Sequence, residues 1–306
     1  LTEQLFEHYR ELISDFQEFK KASVAPAPEA LRLNGWKNGL DKFEKWIETQ
    51  GYKVEKSPYF SDLYYWRQPD RFASSTVLHW AGHYYIQDPV TLLPVRALDL
   101  RPGETVLDLC AAPGGKSFHI SRLVGLEGCV VANDPSPGRR QILQSNLQRL
   151  GVPNLVITPY QGQSVPENKL FDAILVDAPC SGEGSNRWPD GNPPRVSKSD
   201  REHLINTQQM LLKKAARLLV PGGRIVYSTC TYSPLENEAV VKRILEETTL
   251  VIEEIELELP HEPGVESWDE KQFGSELKKL WRCYPHHYDG GGMVFARLRK
   301  PGEKDE

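Results

Sequence analysis

No apolar run in this chain approaches the roughly 20 residues that a helix needs to cross a bilayer, so no helical membrane span is expected. No Cys-x-x-Cys pair occurs, and the five cysteines (Cys110, Cys129, Cys180, Cys230, Cys283) make an odd number. Those spacings fit neither a disulfide framework nor a zinc site, so reduced thiols in the cytosol are expected. A basic excess is missing as well, with a formal net charge of -5. That argues against charge-driven, non-specific nucleic-acid binding, though a local basic groove is compatible with an acidic remainder. Leu1 to Lys21 mixes acids and bases throughout, so no secretory leader is expected. Internal repeats and low-complexity segments are absent, and nothing sets an oligomeric state.

What is present is ordinary globular composition, 26% charged and 39% hydrophobic over 306 residues. That length allows one large or two moderate domains with a sizeable core. The spacing of Leu5, Phe6, Tyr9, Leu12, Ile13, Phe16 and Phe19 predicts a helix over residues 1–22, broken by Ala25-Pro26-Ala27-Pro28. A short strand at Leu31–Asn34 follows. A helix is then predicted over Gly39–Gln50, with Leu40, Phe43, Trp46 and Ile47 inward and Gly51 ending it. Residues 1–75 read as a small α+β domain, which as a mere cap says nothing about function, and 76–306 as a second domain.

From about residue 100 the pattern changes. Residues 105–109, 128–133, 155–157, 173–176 and 224–227 are short, nearly continuous apolar runs, as doubly buried parallel strands are. Helices are predicted between them at 115–124, 137–150 and 201–219, the last followed by a Pro221-Gly222-Gly223 turn. Alternating strands and helices imply a doubly wound α/β sheet, which takes its ligand at the carboxyl ends of the strands.

The first of these strands runs into Cys110-Ala111-Ala112-Pro113-Gly114-Gly115-Lys116-Ser117, and the second ends at Asn133-Asp134. Two glycines before a helix let backbone approach a ligand, and the helix start offers free amides. The spacings of a phosphate-binding loop and of a dinucleotide fingerprint are both missing. An acid at the second strand end suits a ribose, so a nucleoside-containing ligand is expected. Two further strand ends carry thiols, Asp177-Ala178-Pro179-Cys180 and Ser228-Thr229-Cys230. A single cysteine in such a place is usually core; two on one ligand edge, with Asp177 beside them, suggest chemistry.

Taken together, VLDLCAAPGGKS, AND, LVDAPCSGEG, PGGRIVYSTCTYSPLENEAVV and YPHHYDGGGMVFARLRK resemble, in order and spacing, the Nop/Sun family of RNA cytosine carbon-5 methyltransferases. The match extends from about Arg32 to Lys300 and resembles the bacterial ribosomal-RNA branch. It implies a Rossmann-like class I fold with a mostly parallel seven-stranded sheet, and S-adenosylmethionine (SAM) as cofactor. By this resemblance Cys110, Ala111, Ala112, Pro113, Gly114, Gly115 and Lys116 wrap the methionine end. Asp134 holds the ribose, Arg139 braces the loop, and Asp177 lies by both cofactor and base. Where the family usually carries an adenine-binding acid, this chain has Gln161, whose amide can still accept and donate. Val90 stands where the family often has serine.

The resemblance assigns Cys230 as nucleophile at cytosine carbon 6, Cys180 as the group that assists product release, and Asp177 as partner of ring nitrogen 3 and the amino group. Lys116 is a candidate for stabilising the thiolate. An RNA clamp is expected at Arg187, Trp188 and Arg195, with Lys198 and Arg201 near it. A second RNA face is expected at Arg32–Lys37 and Tyr64-Tyr65-Trp66-Arg67. His286 and His287 are expected on a strand, pointing apart, with no acid to complete a metal site. RNA, ribosomal before transfer, is the expected partner; an appended RNA-binding domain is expected to be missing after the last strand. A DNA cytosine methyltransferase would use a Pro-Cys nucleophile such as Cys180, but its Glu-Asn-Val signature is absent. A SAM-binding assembly factor is the reading outside enzymology.

Overall fold

The computed structural model describes residues 5–37, 40–68 and 70–302, with the side chain of Leu40 outside that set. Gly39 and the inward placement expected for Leu40 therefore lie outside the described residues.

The amino-terminal unit comprises α1 (Phe16–Val24), β1 (Ala30–Leu33), α2 (Leu40–Gln50), β2 (Val54–Lys56), β3 (Leu63–Trp66), the single turn α3 (Val77–Trp80) and β4 (Tyr84–Ile86). Its four strands pair antiparallel in the order β2-β3-β1-β4. The sheet thus continues past residue 75, because β4 completes it beside β1. Of the helix expected over residues 1–22, residues 1–4 lie outside the described residues, and from residue 5 on it is shorter than its apolar spacing suggests. Residues 7–9 form one 3-10 turn, Phe6 takes a left-handed conformation, and α1 starts only at Phe16. The apolar face is nevertheless buried, since Phe6, Tyr9 and Phe19 pack edge-on against Tyr232 of the second unit. Tertiary contacts, rather than helical period, bury that segment.

The second unit runs through α4 (Leu93–Ala97), β5 (Thr105–Asp108), α5 (Gly115–Val124), β6 (Cys129–Asn133), α6 (Pro137–Leu150), β7 (Leu155–Thr158), β8 (Phe171–Asp177), α7 (Lys198–Leu218) and β9 (Leu219–Thr229). It closes with α8 (Glu238–Glu247), β10 (Val251–Glu253), β11 (Glu262–Pro263), β12 (Ser267–Trp268), β13 (Lys271–Gln272), β14 (Trp281–Cys283), α9 (Pro285–Tyr288) and β15 (Met293–Arg299). The main sheet has the order β11-β14-β15-β9-β8-β5-β6-β7, with β10 also paired to β15, nine strands in all. Strands β7, β6, β5, β8 and β9 are parallel neighbours, and the rest are antiparallel. The seven strands expected are β7 to β14 along this path; the short β10 and β11 are additions. Pro221-Gly222-Gly223 is not a turn before β9 but an irregularity within it: pairing jumps from Phe171–Leu219 to Ala173–Arg224, and Gly222 takes a φ of +77°.

The central strands are wholly buried, with Val106, Leu107, Ile174, Leu175, Ile225 and Val226 at 0% exposure. Helices therefore cover both faces, and only the strand ends are open to a ligand. The amino-terminal sheet docks beside one such end. Arg32, itself fully buried, donates to the Gly115 carbonyl at 3.2 Å and lies over the Phe118 ring. Arg122 donates to the Leu33 carbonyl and pairs with Asp62, while Asn34 reaches the Leu150 carbonyl.

Candidate active site

Strand direction decides which side chains meet. Because β5, β6, β8 and β9 are parallel, the residues after Asp108, Asn133, Asp177 and Thr229 emerge on one edge. Cys110 follows β5, Asp134 follows β6, and Cys180 and Cys230 follow β8 and β9. There the two thiols come together, Cys180 Sγ lying 3.3 Å from Cys230 Sγ.

The pair is electrically asymmetric. The hydrogen bond from Cys180 lowers the Cys230 pKa below its ordinary value, against burial and the Asp177 charge, with Lys116 assisting. The same bond, with burial, pushes Cys180 well above its ordinary value. Cys230 is therefore the sulfur disposed to ionise, and Cys180 the one that keeps its proton. Burial drives the Cys110 thiol up, which leaves it neutral.

Asp177 is held at both oxygens. Lys116 Nζ donates to Oδ2 at 2.8 Å, and Ser228 Oγ donates to Oδ1 at 2.8 Å. Burial presses the Lys116 ammonium toward neutrality, but the charge and hydrogen bond of Asp177, with the charges of Asp108 and Cys230, together outweigh it and the net shift is upward. Ser228 has no counterpart among the residues singled out from sequence, although its place two residues before Cys230 is a usable signal. Asp108, at the end of β5, accepts from Ser117 Oγ at 2.6 Å and leaves Oδ1 buried without a partner. Burial raises its pKa to about 7.

Two adjoining hollows share Cys110 and Asp177. One, of about 290 Å³, is bordered by Asp134, Arg139, Gln161, Gln163, Cys180 and Cys230. The other, of about 200 Å³, lies between the loop Cys110–Gly115 and the segment Tyr85–Asp88, which leads out of β4. Together they reach the size of a small-molecule site, roughly 300 Å³ upward. Ala111, Ala112, Pro113, Gly115 and Lys116 line the second hollow. Gly114 does not line it; its φ of +108° shapes the turn, and a Cβ there would meet Leu143. Arg139 donates to the Ala112 carbonyl at 2.8 Å and its Nε lies 3.5 Å from Asp134 Oδ2. Asp134 Oδ1 accepts from the Ser136 amide, whereas Oδ2 is buried without a hydrogen bond. Gln87, 8% exposed, likewise leaves Oε1 unpartnered at the second hollow. Three buried acceptor oxygens along one cleft fit a ligand that brings hydroxyl and ammonium donors.

Several residues read from sequence as RNA contacts are elsewhere. Tyr64, Tyr65 and Trp66 are 3–5% exposed: Tyr64 and Trp66 lie in the core of the amino-terminal unit, and Tyr65 packs into the core of the second unit, donating to the Tyr288 carbonyl. Arg32 and Asn34 are fully buried interface groups, so of that expected RNA face only Gly35, Lys37 and Arg67 are exposed. Arg187 is also buried. It donates to the Gly290 and Pro285 carbonyls and pairs with Asp289, while Trp188 donates to the Glu183 carbonyl. Of the expected clamp, Arg195 and Lys198 are exposed. Val90 is core, and Asp88 before it accepts from the Gly291 and Val90 amides.

The histidine pair departs from expectation too. His286 and His287 lie on α9, not on a strand, and Glu262 brings an acid to them, the three ligand atoms lying within 4.8 Å of one another. Glu262 accepts from the Ser14 amide, and His287 Nδ1 from the Tyr284 amide. A Nδ1 that accepts places the neutral ring's proton on Nε2, which turns that ring away from metal ligation.

The sheet order and the site at its ligand edge define a class I SAM-dependent methyltransferase fold. Residues 95–299 match the family described as 16S rRNA methyltransferase RsmB/F, and residues 1–89 the N-terminal domain of 16S rRNA methyltransferase RsmF. The chain belongs to the RsmB/F methyltransferase family, which bears out the Nop/Sun resemblance of its motifs. It is 35% identical to ribosomal RNA small subunit methyltransferase F of Erwinia tasmaniensis, over 96% of this chain and 62% of that protein. It is 31% identical to tRNA (cytosine(49)-C(5))-methyltransferase of Pyrococcus abyssi, over 98% of this chain and 97% of that one. The chain thus spans about three fifths of the bacterial relative and nearly the whole archaeal one. Among solved structures, a methyltransferase homologue from Pyrococcus horikoshii superposes with a TM-score of 0.82 at 30% identity, covering 94% of this chain and 91% of that one. NSun6 from the same organism, solved with SFG, gives 0.83 at 22% identity, covers 97% of each chain and shows the shared fold.

Proposed function

We propose that this protein transfers a methyl group from SAM to carbon 5 of a cytidine in RNA, through a covalent cysteine–cytosine adduct. The observation that carries this reading is the 3.3 Å pair of Cys180 and Cys230 beside the Lys116–Asp177–Ser228 network. Asp134, Arg139, Gln161 and the loop Cys110–Lys116 hold the cofactor, which supplies an electrophilic methyl group when bound.

Carbon 5 of cytosine is too weak a nucleophile to take that methyl unaided. The Cys230 thiolate adds to carbon 6, and the electron pair of the 5,6 double bond moves toward carbon 5 and the ring. Asp177 faces ring nitrogen 3 and the amino group, and Lys116 balances its charge. Once carbon 5 is alkylated, its proton leaves to a base, the 5,6 double bond re-forms and Cys230 departs as thiolate. Cys180 assists that release. Dividing one hard substitution into addition and elimination is the gain of covalent catalysis.

The target base must be unstacked to meet a thiol at the bottom of a cleft. We place the enzyme in the cytosol, where both thiols stay reduced, and assign it ribosomal RNA because the amino-terminal unit matches the RsmF N-terminal domain. A transfer-RNA substrate is the second reading, favoured by the near-complete coverage of the archaeal tRNA methyltransferase. Incubation with labelled SAM and either total ribosomal or total transfer RNA tests both. Label at cytosine carbon 5 should vanish in Cys230→Ala, and Cys180→Ala should trap a protein–RNA adduct. Cofactor binding without labelling of either RNA would leave the assembly-factor reading in place.

A further inference from the structure

The amino-terminal unit displays three large apolar side chains to solvent within nine residues. Phe72, Val77 and Trp80 are 75%, 77% and 73% exposed. Val77 and Trp80 are three apart on α3 and so share a face, and Phe72 stands just before the 3-10 turn that leads into that helix. A soluble surface seldom keeps such a cluster without a partner.

Two cations gather at the carboxyl end of α3. Lys37 Nζ donates to the carbonyls of Ala81 and Arg149, and Arg149 Nη1 to those of His79 and Tyr84. Among the described residues neither cation forms an ion pair with a carboxylate. Burial and then Arg149 lower the Lys37 pKa, and burial and then Lys37 lower that of His83, as expected of cations crowded together. Arg71, exposed and next to Phe72 in sequence, adds a further charge, its guanidinium lying over the Tyr52 ring and donating to the Tyr52 hydroxyl at 2.6 Å. Trp80 is six residues before Ile86, which lines the second hollow, so at most about 22 Å of chain separates them.

We propose that Phe72, Val77 and Trp80, rimmed by Lys37, Arg71 and Arg149, form a stacking platform for unpaired bases of the RNA flanking the target cytidine. Single-strand binders combine aromatic faces for bases with cations for phosphates. Lys37 and Arg149, which form no ion pair with a carboxylate among the described residues, complement phosphate charge and favour RNA as the occupant. The platform rests on the RNA-methyltransferase reading and adds to it a docking site outside the catalytic cleft. It keeps Lys37 of the amino-terminal RNA face expected from sequence and takes the place of Tyr64, Tyr65 and Trp66, which are buried.

The test uses fluorescence anisotropy of the full chain with a fluorescein-labelled 24-nucleotide unstructured RNA containing one cytidine. Phe72→Ala/Trp80→Ala should weaken binding about tenfold or more. It should leave SAM affinity by calorimetry intact, while Leu126→Ala, another exposed apolar residue, changes nothing. Lys37→Gln should make the slope of log affinity against log salt shallower by about 0.7, and the aromatic double variant should leave that slope as it is. Unchanged RNA affinity in the double variant, with wild type binding, overturns the platform alone. A loss confined to assembled ribosomal subunits, with naked RNA bound normally, overturns it in favour of a protein-docking surface. If wild type neither binds nor methylates RNA, the methyltransferase reading itself fails and the platform with it.

Discussion

Cys180 Sγ and Cys230 Sγ lie 3.3 Å apart although fifty residues of chain separate them. The contact exists because β8 and β9 are adjacent parallel strands, with Asp177 opposite Ser228 in register. Each thiol leaves its strand toward the same cleft, and the hydrogen bond between them sets their acidities apart.

That asymmetry predicts the pH dependence of thiol reactivity. Cys230 ionises below the ordinary thiol value, chiefly because Cys180 donates to it. Its alkylation by iodoacetamide should therefore rise with pH through a midpoint below that value. Cys180→Ala removes the donor, so the midpoint should move up. A midpoint that stays put would show that Lys116 alone sets the acidity.

Cofactor affinity should depend on Asp134, whose Oδ2 is buried without a hydrogen bond. Asp134→Ala should weaken SAM binding by about one to two orders of magnitude, in keeping with the roughly 1.5–3 kcal/mol of a charged hydrogen bond. Gln161→Ala should cost about tenfold or less, as for a neutral pair. Titration calorimetry separates the two.

Asp108 makes stability pH-dependent in an unusual direction. Burial raises its pKa to about 7 in the folded state, against about 3.9 for a solvated aspartate. Between those values the folded chain keeps a proton that the unfolded chain has lost, so this group makes stability fall as pH rises from about 4 to 7. Asp108→Asn carries no such charge. Measured without cofactor, the melting temperature of the variant relative to wild type should increase across that window and then level off. A constant difference would place the titration elsewhere.

Arg282 and Glu238 form a fully buried bidentate pair, with Nε–Oε1 at 2.8 Å and Nη2–Oε2 at 2.6 Å. Arg282→Met should cost about 3–5 kcal/mol, because it strands a buried carboxylate. Combining it with Glu238→Gln should recover part of that loss. Urea unfolding of the single and double variants gives both numbers.

The sequence by itself determined the strand order's raw material. Apolar runs at β5, β6, β8 and β9 are local patterns, and the residues just past them had to fall at strand ends. Asp134, Asp177, Cys180 and Cys230 were legible for that reason. What only the tertiary structure decided is which groups meet across the chain. The grip of Ser228 on Asp177, the approach of Glu262 to His286 and His287, and the burial of Arg187 all depend on contacts far apart in sequence. The aromatics divide in the same way: Tyr64, Tyr65 and Trp66 form core because β3 sits inside its sheet, whereas Trp80 is exposed because α3, a single turn, turns that face outward. Local composition reads the same in both cases, since burial is set by what packs on an element and not by the element alone.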